Sequence, residues 1–260
     1  MKVSIIIPVY NESKTIERII NKVLEQKKID KEIIVVDDGS TDGTKDIISQ
    51  RLENKIDFLL VHKFNQGKGS AIHTGLKKVS GDIVLIQDAD LEYDPSDYQN
   101  LLQPIIEENN SVVYGSRVLG KKRYSFIGFT STFRVFANHI LTIASNIINS
   151  QNLTDAHTCY KVFKTDLIKK IELNEKGFNF CPEITTKLSN NNIKIIEITI
   201  KYIGREYNEG KKIKFKDGIE ALITLIKYKI KKWILNLNFL IKNKYFNYDF
   251  SYNTNFEWKK

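Results

Sequence analysis

The chain has 260 residues, 42% of them hydrophobic, enough for one large α/β domain or a domain with an appendage around a sizeable core. Its two cysteines, Cys159 and Cys181, lack metal-ligand spacing and read as small buried residues of a reducing compartment, which excludes a disulfide scaffold. The formal charge of +9 is uneven: residues 1–120 carry 15 Lys+Arg against 19 Asp+Glu, and residues 121–260 carry 25 against 12.

The second half therefore asks for an anionic partner, such as nucleic acid, a phosphorylated substrate or an anionic membrane, unless it reflects only an Asn/Lys/Ile-rich composition. No secretory h-region opens the chain, and no run of ~18 apolar residues is present. A cytoplasmic location is expected, with any membrane attachment peripheral.

The elements alternate up to about residue 116. VSIIIPV reads as a strand, followed by a helix over 12–26 with apolar positions Ile16, Ile19, Ile20, Val23 and Leu24. EIIVVDD is a second strand, and Thr41-Asp42 can cap a helix to about Leu52. FLLVH, a Gly-rich turn and a helix to about Val79 come next, then the strand DIVLIQ. Pro95 suits the start of a helix to about Glu108, and SVVYGS is the fifth strand. Unbroken apolar strands between helices predict a mostly parallel, doubly wound α/β sheet with ligands beyond the carboxyl ends of its strands.

Beyond residue 120 come a basic loop, KKRYS, and a long apolar helix over 128–150. The strand TCYKVFK, a helix over 182–190, the strand IKIIEITIKYI and a Lys/Trp-bearing helix over 216–243 follow. The 128–150 and 216–243 helices carry apolar bulk with cationic or aromatic edges, which suits a membrane surface, although the first also reads as a packed core helix.

Three short stretches carry chemistry. In QDADLEYDP the strand IVLI runs into Asp88, Asp90, Glu92 and Asp94; on extended backbone the first two point the same way and suit a hard cation with a substrate phosphate, or else form a solvated acidic turn. VVDDGSTDGT places Asp37 and Asp38 at a strand end, fit for ribose hydroxyls or a base edge, or for plain turn roles. NQGKGSAIHTG offers turn amides and Lys68 to an anion, yet is neither a dinucleotide fingerprint nor a Walker A loop.

In this order, IIIPVYNE, VVDDGSTDGT, NQGKGSAIHTG and QDADLEYDP resemble the inverting glycosyltransferases of family 2 with the GT-A fold, and within them the dolichyl- or polyprenyl-phosphate sugar synthase branch. VVYGSR, LTDAHTCYKVF, GFNFCPEIT and YIGREYNEGKKIKFKDG extend the resemblance over roughly 1–228. It implies a GT-A domain over 1–228, with a nucleotide-sugar half (1–120) and an acceptor half (121–228), and leaves 229–260 as a basic, aromatic extension. The activity implied is transfer of a hexose from a GDP- or UDP-sugar to a polyprenyl phosphate, with Mg²⁺ or Mn²⁺ as cofactor.

By the same resemblance Pro8, Tyr10 and Glu12 frame the base, Asp37 and Asp38 contact base or ribose, and Lys68 lies beside the nucleotide. Asp88 and Asp90, with Ala89 between them on the substrate, hold metal and diphosphate. Glu92 stands where some relatives carry Gln and could also ligate the metal. Arg117 and Arg205 match the acceptor-phosphate positions, with Arg134 a further candidate.

A phosphate monoester, with its second pKa near ~6, is already an oxyanion at pH 7 and needs cations rather than a base. The alternative acceptor, a saccharide hydroxyl, needs a carboxylate base, for which Glu183 or Asp155 are the candidates. Asp155 reads better as a turn anchor, and His157 as structural. A nucleotide-sugar pyrophosphorylase lacks its glycine-rich N-terminal loop here, and no basic-aromatic platform argues for nucleic acid.

Overall fold

A computed structural model describes residues 1–120, 129–205 and 215–246, with side chains described except at 129–135, 215 and 239–246. The unbroken Ile/Val runs form the middle of a seven-stranded sheet. β1 (Val3–Val9), β2 (Lys31–Asp37) and β4 (Ile83–Ile86) are buried nearly throughout, as strands covered on both faces must be. Ile5, Ile6 and Ile7 are each 0% exposed, and alternation sends Ile5 and Ile7 to one core layer and Ile6 to the other. Burying one such side chain stabilises the fold by roughly 1.5–3 kcal/mol.

The strand order is β3-β2-β1-β4-β6-β5-β7. β1 pairs in parallel with β2 and β4, β2 with β3 (Phe58–Val61), and β5 (Val112–Ser116) with β7 (Ile196–Thr199). β6 (Lys161–Lys164) lies between β4 and β5, antiparallel to both, so the mostly parallel sheet is mixed at its centre. The winding direction reverses between β1 and β4, where a ligand crevice is expected beyond the strand ends.

α1 (Ile16–Leu24) buries Ile16, Ile19, Ile20 and Val23 against one face of the sheet, alongside α4 (Tyr98–Ile106). The helix expected from Glu12 starts four residues later. Asn11 is left-handed (φ 51°), and the amides of Asn11, Glu12 and Ser13 donate to Ser40, Thr44 and Asp42 rather than continuing a helix. α2 (Thr44–Ile47) passes into a π-turn over Ile48–Leu52.

The other face carries α3 (Lys68–Leu76) and α7 (Phe180–Asn190), packed through Ala71, Ile72, Phe180, Ile184 and Leu188. α5 (Phe129–Asn149) and α8 (Phe215–Phe246) pack on each other and on α7, and α6 (Thr165–Ile168) is a short turn after β6. α8 runs without a break through residue 228. Among the described residues, no helix is long and apolar enough to cross a membrane. KKRYS and residues 206–214 lie outside the described residues.

Candidate active site

The loops after β1 and β2 are laced together. Asn11 accepts from the Thr41 amide at 2.8 Å and donates its own amide to Ser40 Oγ at 2.9 Å. Glu12 N–H donates to Thr44 Oγ1 at 2.9 Å, and Ser13 N–H to Asp42 at 3.0 Å. Pro8 and Tyr10 are half-buried on the same rim. Asp37, 0% exposed, accepts from the Ser40 hydroxyl; burial pushes its carboxyl above the ordinary value, only partly offset by Ser40.

Asp38 is spent on the Gly-rich turn: it accepts from Gln66 N–H at 2.9 Å and Gly67 N–H at 2.7 Å, and pairs with His62 Nδ1 at 2.7 Å. Ser70 N–H donates to the Lys176 carbonyl at 2.9 Å. Three amides of the turn expected to meet an anion therefore already have protein acceptors. What the turn presents is Lys68, whose ammonium bonds the Asp88 carboxylate and lies 3.0 Å from Cys159 Sγ. Burial works against its charge, but Asp88 and the neighbouring sulfurs together hold Lys68 well above the ordinary lysine value.

The acids after β4 do not continue on extended backbone. Ala89 and Asp90 form a turn, and Leu91 takes a left-handed conformation (φ 64°) that bulky residues avoid. The turn directs Glu92 toward the segment after β7: its oxygens accept from Tyr202 OH at 2.8 Å and Arg205 N–H at 2.7 Å, and its own amide donates to Asp90 at 3.1 Å. Ala89 is buried between the two aspartates. Asp88, Asp90 and Glu92 thus do not converge as a three-carboxylate shell; among the described residues no group of three His, Cys, Asp or Glu could hold a metal ion.

Arg205 lies among these acids. Its Nη2 is 2.8 Å from Asp90, and both terminal nitrogens reach Glu12, at 3.1 and 3.2 Å. Burial, then Asp88 and Glu92, push the Asp90 carboxyl up to about 7 against the pull of Arg205, while Lys68 overcomes burial to hold Asp88 below the ordinary value. Negative charge is crowded here, and among the described residues Lys68 and Arg205 offset part of it.

Arg117, at the end of β5, pairs in two-pronged fashion with Asp155, Nε at 2.6 Å and Nη2 at 2.8 Å, over the Tyr202 ring at 5.2 Å. Burial opposes ionisation of Asp155, but Arg117 keeps its carboxyl below the ordinary value. Glu183, 0% exposed on α7, is not brought to this cluster by any bond: it accepts from Asn174 N–H at 2.7 Å, Glu175 N–H at 2.8 Å and Lys187 Nζ at 2.7 Å. Arg134 sits on α5, but its side chain lies outside the described residues. His157 is pushed down to about 4 by burial and then Lys161, so it is neutral at pH 7.

Two participants escaped sequence reasoning. Gln87, 0% exposed just before Asp88, accepts from Tyr98 OH at 2.6 Å and Tyr160 OH at 2.7 Å and donates to the Asp88 carbonyl at 2.9 Å, bracing the acidic turn from inside the core. The other is Cys159, whose thiol shares Lys68 with Asp88. Gln87 could have been suspected as a polar residue ending an apolar strand; nothing local marks Cys159.

The chain is 29% identical over 247 residues to a UDP-N-acetylglucosamine–dolichyl-phosphate N-acetylglucosaminyltransferase of Methanococcus voltae, covering 88% of this chain and 96% of that protein. It is 30% identical over 246 residues to dolichyl-phosphate beta-glucosyltransferase ALG5A of Trichomonas vaginalis, covering 87% and 72%. With dolichol-phosphate mannosyltransferase of Pyrococcus furiosus the identity is 29% over 245 residues, covering 93% and 67%.

Among solved structures, glucosyl-3-phosphoglycerate synthase of Mycobacterium tuberculosis, in complex with Mn²⁺, uridine diphosphate and phosphoglyceric acid, superposes with a TM-score of 0.64 at 19% identity, over 88% of this chain and 78% of that one. That likeness concerns the fold, which is GT-A. The model of glycosyl transferase family 2 matches residues 4–172, spanning the laced loops, the Lys68 turn, the acidic turn after β4 and the Arg117–Asp155 pair. The chain belongs to glycosyl transferase family 2.

Proposed function

We propose that the protein transfers a hexose from a nucleoside diphosphate sugar to a polyprenyl phosphate, inverting the anomeric centre. One observation carries the choice of acceptor: both carboxylates expected as a base for a hydroxyl are already engaged. Asp155 is locked by Arg117, and Glu183 is buried on two backbone amides and Lys187. A hydroxyl at pH 7 needs a base to take its proton, whereas a phosphate monoester arrives ionised. The three relatives named above carry dolichyl or dolichol phosphate in their names, which supports the same choice.

Asp88 and Asp90 are oxygen donors suited to Mg²⁺ or Mn²⁺. Two carboxylates fit a hard cation that completes its shell with water and substrate phosphate. Bound there, the cation supplies charge neutralisation for the departing nucleoside diphosphate. Lys68 and Arg205, which now balance the two aspartates, are 15% and 18% exposed at their side chains and long enough to swing toward phosphate oxygens.

Asp37, with Pro8, Tyr10 and Glu12 on the laced rim, would face the nucleoside, while Asp38 serves it by holding the turn. Arg117 keeps its Nη1 edge for an acceptor phosphate while Asp155 takes the other two nitrogens. Exposed apolar side chains on α5 (Phe136, Ile140, Ile147) and α8 (Ile223, Ile230, Trp233) would rest on the cytoplasmic face of a membrane, where a lipid acceptor lies.

The test is transfer of label from a panel of nucleotide sugars to undecaprenyl or dolichyl phosphate, followed into the organic phase with Mn²⁺ or Mg²⁺ and with EDTA. EDTA-sensitive, mild-acid-labile organic label from one donor is expected. Unlabelled lipid with every donor, from a protein that still binds a nucleoside diphosphate, would reject this acceptor.

A further inference from the structure

Residues 174–176, between α6 and α7, are gripped along two edges. Their amides are held by Glu183, through the Asn174 and Glu175 N–H groups at 2.7 and 2.8 Å. Their carbonyls press on the Gly-rich turn. Lys176 O accepts from Ser70 N–H at 2.9 Å. A Cβ on Gly69 would lie 2.2 Å from Glu175 O, and one on Gly67 (φ +97°) 2.5 Å from Lys176 O.

Those two glycines flank Lys68, and a side chain at either would have to push the 174–176 backbone away. The turn is also fixed by Asp38, through the Gln66 and Gly67 amides. Lys68 is thereby held between two buried carboxylates that never touch it, each acting through backbone. The Glu175 side chain is tied in turn to α8, by Lys227 Nζ at 2.7 Å and Tyr228 OH at 3.0 Å.

We propose that Glu183 is a positioning residue of the donor site: it sets the 174–176 loop as the surface against which the Gly67–Gly69 turn, and with it Lys68, is placed. This rests on the transferase reading of the Lys68–Asp88 pair and replaces the base role considered for Glu183. A carboxylate suits the task because its two oxygens can each accept from one of two adjacent amides, while Lys187 balances its charge. A glutamine offers one acceptor oxygen and turns an N–H₂ toward the other amide.

The experiment uses the full chain and Glu183→Gln. Binding of UDP–Mn²⁺ and of GDP–Mn²⁺ is titrated, and backbone hydrogen exchange is measured without nucleotide. The dissociation constant for the bound nucleotide is expected to rise about tenfold, with turnover at saturating donor within about threefold of wild type. Exchange should quicken at Ser70 as well as at Asn174 and Glu175. Gly69→Ala, which attacks the same contact from the turn and adds a good helix former, should weaken nucleotide binding likewise, and it decides the matter if the Gln variant does not fold.

Unchanged nucleotide affinity with lost turnover would overturn the proposal in favour of a base. Faster exchange confined to 174–175 would also overturn it, as a purely local structural role. A wild-type chain that binds neither nucleotide would instead strike down the transferase reading on which the proposal stands, an outcome the exchange pattern tells apart.

Discussion

The β1–β4 region and the region from β5 onward use carboxylates in opposite ways. After β4, Asp88 and Asp90 are paired with Lys68 and Arg205, long side chains with rotatable stems, and burial together with the crowding leaves Asp90 reluctant to ionise. In the second region Asp155 is clasped by two prongs of Arg117, and Glu183 by backbone amides that cannot swing away. Acids with removable partners are available for chemistry, whereas acids with fixed partners hold the scaffold. Asp38, clasped by the Gln66 and Gly67 amides, is a scaffold acid inside the chemical region.

Substitutions can break or sharpen that contrast. The largest effect is expected from Arg117→Met, which strands a buried Asp155 and should cost about 3–5 kcal/mol in denaturant unfolding. Adding Asp155→Leu should restore most of the loss. A stable single variant that is merely inactive would make Arg117 a chemical residue alone. Next, Asp90→Asn should lower turnover about 100- to 1,000-fold, with a melting temperature near that of the wild type because Arg205 keeps Glu12. Substantial residual turnover would remove Asp90 from the chemistry.

Glu32 is a fourth scaffold acid, 2% exposed. Burial pushes its carboxyl up, but hydrogen bonds from Lys2, Ser4 and Ser80 hold it at about 2 against an ordinary 4.5. A carboxyl depressed in the folded state contributes stability that is present above about 4.5 and fades as pH falls toward 2. Glu32→Gln should therefore cost about 2 kcal/mol at pH 7 and converge on the wild type near pH 2, measured as unfolding free energy against pH. Parallel curves would show that the bonds do not depend on the charge. The smallest effect is expected from Tyr228→Phe, which removes one bond to Glu175 and should cost about 1 kcal/mol, read as a small shift in thermal midpoint.

Much of the chemical region was legible in sequence because parallel strands buried on both faces read as apolar runs, and each run ends where its acids begin. The same logic found the strand TCYKVFK but not its direction or its place between β4 and β5, of which KVFK carries no sign. It misjudged the acidic turn because a leucine gives no warning of a left-handed backbone, and because Glu92 is drawn off by Tyr202 and Arg205, more than a hundred residues away. The scaffold roles of Asp38 and Glu183 were invisible for another reason. Their partners are backbone amides, which every residue but proline possesses and no motif records.

In the proposed reaction the acceptor arrives already ionised and the protein supplies no base. The most direct measurement offers the purified protein, with its divalent cation and its preferred nucleotide sugar, a polyprenyl phosphate and the matching polyprenol at equal concentration. Transfer to the phosphate alone is expected, since the polyprenol hydroxyl finds no base to take its proton and carries no anion for Arg117 and Arg205 to hold. Comparable transfer to the polyprenol would contradict the claim and return Asp155 and Glu183 to candidacy as bases.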